Sequence, residues 1–299
     1  MSLRKTAVNP DKQALADLRA QVDKIDAVLH DLLRERAEVV TQIRKVKGKQ
    51  SLYIRPGREA QMLRALAGRP RGKIPDGLIV RLWREMISAF TLAEGSFSVA
   101  VVSPPRGPGL WDMARDFYGS FTPLISVPSA VDAVKAVLAK KADLAVVPFP
   151  QDGDSRDAWW PLLANEKKNG LTVFATLPFE MPKAGRSNAR DSLPRGLVLG
   201  PLYPDLTGDD CSFLSLKCVH VPESEMKRLL GKAGYKVRQL LFQSVGRGAS
   251  APTLYMVETE GYVGRGDTRL SRLRAMLGSR LQALVPLGGY AVPLKCGRK

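Results

Sequence analysis

The chain has 299 residues, 44% of them hydrophobic, and 46 Lys and Arg against 29 Asp and Glu give a net charge of +17. At roughly 100–200 residues per domain, this length predicts two or three domains with ordinary cores rather than a disordered chain. The charge favours an anionic ligand. The basic residues are scattered, without zinc-finger spacing or an RNP-type aromatic segment, which argues against nucleic acid.

No run approaches the ~18 apolar residues of a membrane span, and the opening MSLRKTAVNP lacks the apolar core of a secretion signal. A cytoplasmic protein with no membrane partner is therefore expected. Only His30 and His220 are available for histidine chemistry, which argues against a histidine metal centre or a triad. Cys211, Cys218 and Cys296 are odd in number and lack zinc half-site spacing, so reduced thiols are expected.

The first element in chain order is a long helix. Leu15, Leu18, Val22, Ile25, Leu29, Leu32, Val39, Ile43 and Val46 recur in steps of three and four, an a/d seam that Arg36 alone interrupts. Such a helix is about 48 Å long and needs a partner helix over its seam, so helical dimerisation is expected. A guanidinium in an apolar seam is costly unless an anion or carboxylate meets it. Two readings are open for Arg36: an ion pair with Glu35 or Glu38 of a neighbouring chain, or a ligand contact. Arg19 and Lys47 sit beside the seam, about 42 Å apart along the helix. They are either solvated flanking charges or, if two helices pack antiparallel, members of one cationic cluster with Arg36.

GKQSLYIRPG reads as a loop. GREAQMLRALAG, with Met62, Leu63 and Leu66 on one face, predicts a short helix ended by Gly68 and Pro70. A third helix is expected from about Asp76 to Glu94, with Ile79, Leu82, Trp83, Met86, Ile87 and Phe90 on its apolar stripe. Glu94 continues the stripe, as an exposed helix end beside Gly95 or as a buried acid.

These residues carry a resemblance. L-R-x-x-V-D-x-I-D-x-x-L, then L-L-x-E-R-x-x-V-V-x-x-I-x-x-x-K, then Y-x-x-P-x-R-E and a helix ending in Glu together resemble the all-helical chorismate mutase family over about residues 14–94. The resemblance implies a three-helix, intertwined homodimeric domain that rearranges chorismate to prephenate. It further implies that Arg19 from the partner chain, Arg36, Lys47, Arg58, Glu59 and Glu94 line the site. The reaction is a one-substrate pericyclic rearrangement of a dicarboxylate. It moves no proton and requires no nucleophile, metal or cofactor; it gains from holding the dianion compact and placing positive charge at the breaking ether oxygen. Arginine forks suit the carboxylates. Lys47 is assigned to the ether oxygen, and Glu59 to the substrate's ring hydroxyl.

Three positions depart from the commoner family pattern. Phe90 stands where many members have a Ser that contacts a substrate carboxylate, so one donor is lost. Glu94 takes a place held by Gln or Glu, facing the ether oxygen, where only a protonated carboxyl can donate; activity is expected to improve toward acidic pH. Arg55 stands in the loop where an acidic residue can occur.

After Gly95-Ser96 the pattern changes to α/β alternation: SVAVVSP, GLWDMARDFYG, PLISVP, AVDAVKAVLAKK and DLAVVPFP. Ser103-Pro104-Pro105-Arg106-Gly107 resembles the first Gly-rich turn of prephenate dehydratase, and Ala142-Asp143-Leu144-Ala145-Val146-Val147-Pro148 the strand that precedes its catalytic turn. The family's catalytic turn is replaced by Phe149-Pro150-Gln151-Asp152-Gly153, and its Thr-Arg-Phe by Cys211-Ser212-Phe213, so a reduced, inactive lobe is expected. From about Thr207 a βαββαβ order resembles a small-molecule-sensing ACT domain, which in related enzymes binds phenylalanine; here Glu223-Ser224-Glu225-Met226 stands at its usual turn. Gly246-Arg247-Gly248 and Gly264-Arg265-Gly266 read as turns rather than phosphate loops, and Trp159-Trp160 as packing.

The expected organisation is thus multi-domain: an all-α chorismate mutase domain over 11–95, a dehydratase-like α/β lobe over 96–206, and an ACT-like α+β module over 207–296. The expected activity is chorismate mutase, with no cofactor, a homodimer and an aromatic amino acid as possible effector. A bifunctional mutase–dehydratase and a non-catalytic metabolite sensor with a decayed mutase site are the alternatives.

Overall fold

The computed structural model describes residues 10–48, 50–75, 77–103, 109–151, 158–164, 170–181, 195–246, 248 and 251–295. The chain divides into two compact units, Met1–Tyr53 and Ile54–Lys299.

The first unit is the helix α1, Pro10–Lys47, and its tail. Asp11 lies in its first turn and Arg44, Lys45 and Lys47 in its last, charges that oppose the helix dipole. The helix ends at Gly48, whose φ of +69° suits the left-handed stop and whose N–H donates to the Arg44 carbonyl at 3.1 Å. The Tyr53 hydroxyl donates to the Gly48 carbonyl at 3.0 Å and accepts from the Gln50 N–H at 3.3 Å, tying the tail to the helix end. The apolar residues of the expected seam are exposed on both sides of Arg36, from Leu15 at 48% to Val46 at 88%.

The second unit opens with α2, Pro56–Ala67, started by Pro56 in its first turn, and α3, Leu78–Glu94. Asp76 lies outside the described residues. The apolar stripe expected on α3 is not its main buried side. Val80, Arg84, Ile87, Ser88, Thr91 and Glu94 are buried, whereas Leu82 is 52% exposed and Ile79, Trp83, Met86 and Phe90 are partly covered. The reason is that α3 packs against α2 and α4, Gly109–Tyr118, through a row that contains a charged pair.

Among the described residues eleven strands follow: β1 Val99–Val102, β2 Leu124–Val127, β3 Leu144–Pro148, β4 Thr172–Leu177, β5 Glu180–Met181, β6 Gly196–Gly200, β7 Asp210–Cys218, β8 Val237–Ser244, β9 Thr253–Glu260, β10 Leu281–Ala291 and β11 Leu294–Lys295. Nine form one sheet in the order β2-β1-β3-β6-β4-β10-β7-β9-β8, and β5 pairs with β11 separately. The strands β1, β2 and β3 run parallel, joined through α4 and through α5, Ala130–Leu138, which the Ser129 side chain caps by accepting from the Asp132 N–H. The strand β6 runs antiparallel to both β3 and β4.

From β7 onward the expected βαββαβ order is present, with α6, Glu223–Ala233, and α7, Thr268–Leu277. Its spatial order β10-β7-β9-β8, antiparallel throughout, is the split-βαβ arrangement. Its sheet continues into the α/β strands through β4 and β10, paired at Gly288↔Val173. One hydrophobic cluster spans both parts, with Ala100, Val147 and Leu197 alongside Phe213, Met256 and Leu287. Trp159 and Trp160 are buried in it, and the Trp159 indole N–H donates to the Pro148 carbonyl at 3.1 Å. Gly264-Arg265-Gly266 forms a turn ahead of the last helix, the Asp267 N–H donating to the Gly264 carbonyl, while Pro104 to Gly107, Asp152, Gly153, Arg247 and Cys296 lie outside the described residues.

Candidate active site

The helix α1 carries three of the expected ligand groups. Arg19 is exposed, and Arg36 and Lys47 are partly buried. Eleven residues separate Arg36 from Lys47, three helical turns, so both stand on one face about 16 Å apart along the axis. Burial holds the Arg36 guanidinium below its usual pKa.

In the second unit, α2 carries Arg58, exposed, and Glu59, partly buried; α3 carries Phe90, partly buried, and Glu94, only 8% exposed. Glu94 is therefore a buried acid rather than an exposed helix end. Glu59 is held from two sides. Its Oε2 accepts from Arg84 Nη1 at 2.8 Å, and its Oε1 accepts from the Arg55 N–H at 3.3 Å at the start of α2.

Arg84 escaped the sequence reading. It is 4% exposed, its guanidinium centre lies 3.8 Å from the Phe117 ring centroid and 5.1 Å from that of Phe179, and its Nε has no hydrogen-bond partner among the described residues. Burial lowers its pKa, and Glu59 opposes the shift. Burial, reinforced by Glu59, raises the Tyr118 hydroxyl's pKa well above its usual value. The one signal in the sequence is position: Val80, Arg84, Ile87, Thr91 and Glu94 fall at helical spacing.

Phe149, Cys211 and Ser212 are engaged in packing and hydrogen bonding. Arg195 stacks over the Phe149 ring at 3.8 Å and donates to the Tyr290 hydroxyl at 3.3 Å, and that hydroxyl in turn donates to Glu258. Arg238 Nη1 donates to Cys211 Sγ at 3.2 Å, while burial raises the thiol's pKa and so keeps it in the weakly nucleophilic protonated form. The Ser212 hydroxyl donates to the Gly261 carbonyl and accepts from the Val263 N–H, both at 2.9 Å.

A cavity of about 920 Å³ opens between the end of α2 and the C-terminal module, lined among others by Arg64, Lys236, Arg238, Lys295, Glu180 and Glu260. Arg64 braces its wall, donating to the Thr207 hydroxyl at 2.8 Å and to the Asp209 and Val292 carbonyls at 2.7 and 2.9 Å. Among the described residues no group of three or more His, Cys, Asp and Glu is placed to hold a metal, and no helix is long and apolar enough to cross a membrane.

The helical segment that carries Arg19, Arg36, Lys47, Arg58, Glu59, Arg84 and Glu94 matches a known class: residues 18–95 correspond to chorismate mutase type II. Among curated proteins, the chain is 32% identical over 130 residues to the bifunctional chorismate mutase/prephenate dehydratase of Neisseria gonorrhoeae, covering 44% of this chain and 35% of that protein. It is 30% identical over 141 residues to the enzyme of the same description from Aquifex aeolicus, covering 46% of this chain and 39% of the relative. The matched region thus spans little more than a third of each relative. Among solved structures, prephenate dehydratase from Streptococcus mutans overlays at a TM-score of 0.47 with 15% identity, over 66% of this chain and all of that one.

Proposed function

We propose that this chain is a chorismate mutase that converts chorismate to prephenate in aromatic amino acid biosynthesis. The observation that carries this reading is the family match over residues 18–95, which encloses Arg19, Arg36, Lys47, Arg58, Glu59, Phe90 and Glu94 in the expected order. Arg36, Arg58 and Arg19 hold the two substrate carboxylates. Lys47 donates to the ether oxygen as its bond to carbon breaks, Glu94 donates beside it when protonated, and Glu59 accepts from the ring hydroxyl. Phe90 closes the site with an apolar wall. Catalysis is by orientation and fixed positive charge, with no covalent intermediate.

We further propose that the working species is a homodimer in which two α1 helices pair antiparallel and Arg19 of one copy joins Arg36 and Lys47 of the other. The exposed seam of α1 supports this reading, since a stripe of that length gains most from a second apolar stripe. The C-terminal module is read as regulatory, with an aromatic amino acid as effector.

Loss of chorismate absorbance on adding purified protein, with prephenate accumulating, is the test. No loss of chorismate would overturn the activity and favour a metabolite-sensing role. Consumption of prephenate without added dehydratase would establish the bifunctional alternative. Inclusion of phenylalanine, tyrosine and tryptophan in the same assay tests the effector.

A further inference from the structure

We infer that Arg84 is a positioning residue for Glu59, and that the α/β lobe supplies the surface that holds Arg84 in place. The inference rests on the mutase reading of Glu59 and extends it to residues outside the matched segment.

The argument begins with cost. Arg84 is 4% exposed and its partner carboxylate is 13% exposed. A pair this deeply buried contributes little net stability, because removing both charges from water offsets their attraction. The Nε, without an acceptor among the described residues, adds a further desolvation cost. What the pair supplies is geometry. Arg84 Nη1 holds Oε2 of Glu59 at 2.8 Å while the Arg55 N–H meets Oε1 at 3.3 Å, so the carboxylate is fixed at both oxygens on the first turn of α2. An ionised carboxylate has about four acceptor positions, so two contacts leave it able to receive a substrate hydroxyl.

Arg84 is fixed in turn by aromatic rings. Phe117 on α4 lies 3.8 Å from the guanidinium centre and Phe179, just before β5, 5.1 Å. Aromatic faces attract a buried guanidinium and constrain its plane. Both rings come from the region after residue 95, beyond the mutase match. The path therefore runs from the α/β lobe through Phe117 and Arg84 to Glu59, which makes the lobe a working part of the mutase machinery whether or not it retains chemistry of its own.

The test is a double-mutant cycle in the full chain: wild type, Phe117→Leu, Glu59→Gln and the double variant, each assayed for kcat and KM with chorismate. Leu fills much of the ring's volume while removing its π face. The expected result is a loss of about tenfold in kcat/KM for Phe117→Leu, carried mainly by kcat, that shrinks to under about twofold in the Glu59→Gln background. Equal losses in both backgrounds, or no loss, would overturn the positioning role. An inert wild type would overturn the mutase reading and this inference with it, an outcome distinct from either. Should Phe117→Leu fail to fold, Phe179→Leu replaces it, with a smaller loss and the same dependence on Glu59 expected.

Discussion

Gly288 meets Val173 so closely that a Cβ on the glycine would stand 2.2 Å from the Val173 carbonyl oxygen, at a φ of +86°. This is the β4–β10 pairing that makes one sheet of nine strands. Gly289 beside it has the Cys211 carbonyl oxygen 2.1 Å from its own would-be Cβ. Any side chain at Gly288 must push the strands apart and also adopt a backbone that L residues disfavour. Gly288→Ala is expected to cost about 3 kcal/mol or more. Denaturant unfolding of the full chain checks it; a loss under about 1 kcal/mol would mean that the strands can separate without penalty.

Arg36→Ala separates the two readings of that guanidinium. As a carboxylate ligand, its loss is expected to lower kcat/KM for chorismate by about 10²–10³-fold with little change in unfolding free energy. If it serves as an interchain ion pair, the same change would weaken the fold and leave the turnover of the folded protein nearly intact.

Glu94 is buried at the end of α3, and a carboxylate accepts hydrogen bonds but cannot donate them. With Glu94 facing the ether oxygen, Glu94→Gln, whose amide can donate there, is expected to retain the mutase rate, and Glu94→Ala, which leaves no donor, to lower kcat about tenfold or more. Equal kcat values for wild type and Glu94→Ala would remove the role.

Asp267 caps α7, accepting from the Arg269 N–H at 2.8 Å and pairing with the Arg269 guanidinium at 2.6 Å. The side-chain hydrogen bond from Arg269 is the largest cause that holds this carboxyl below its usual pKa. A depressed folded value means that its contribution is present above the unfolded value of about 3.9 and is lost as pH falls through the folded one. Asp267→Ala is therefore expected to cost about 1 kcal/mol at neutral pH. Its difference from wild type should narrow in acid, below about pH 4, which urea unfolding across pH would reveal.

Much of the fold was legible because periodicity and turn residues announce local elements. The α1 seam, the alternation from β1 to β3 and the βαββαβ order all follow from patterns within a few residues. The strands β4 and β6 were not read, since TVFATL and GLVLG are short apolar runs whose identity depends on pairing with β3 and β10, far away in the chain. The union of the two sheet regions was equally invisible, its only local trace being the adjacent glycines at 288 and 289. On α3 the apolar stripe suggested one buried face, but the face that packs against α2 and α4 contains Arg84. Its partner Glu59 lies 25 residues away on another helix, and no helical period links them. The candidate ligand positions could be named in order from the sequence, whereas what fixes Glu59 required three-dimensional contacts.

Eleven large aliphatic side chains along α1 are exposed. If a second copy covers them, that helix obeys a bimolecular equilibrium, and thinning the solution loosens it as surely as heating does. The strands locked at Gly288 respond only to heat or denaturant, so one polypeptide would show two melting behaviours, one dependent on concentration and one indifferent to it.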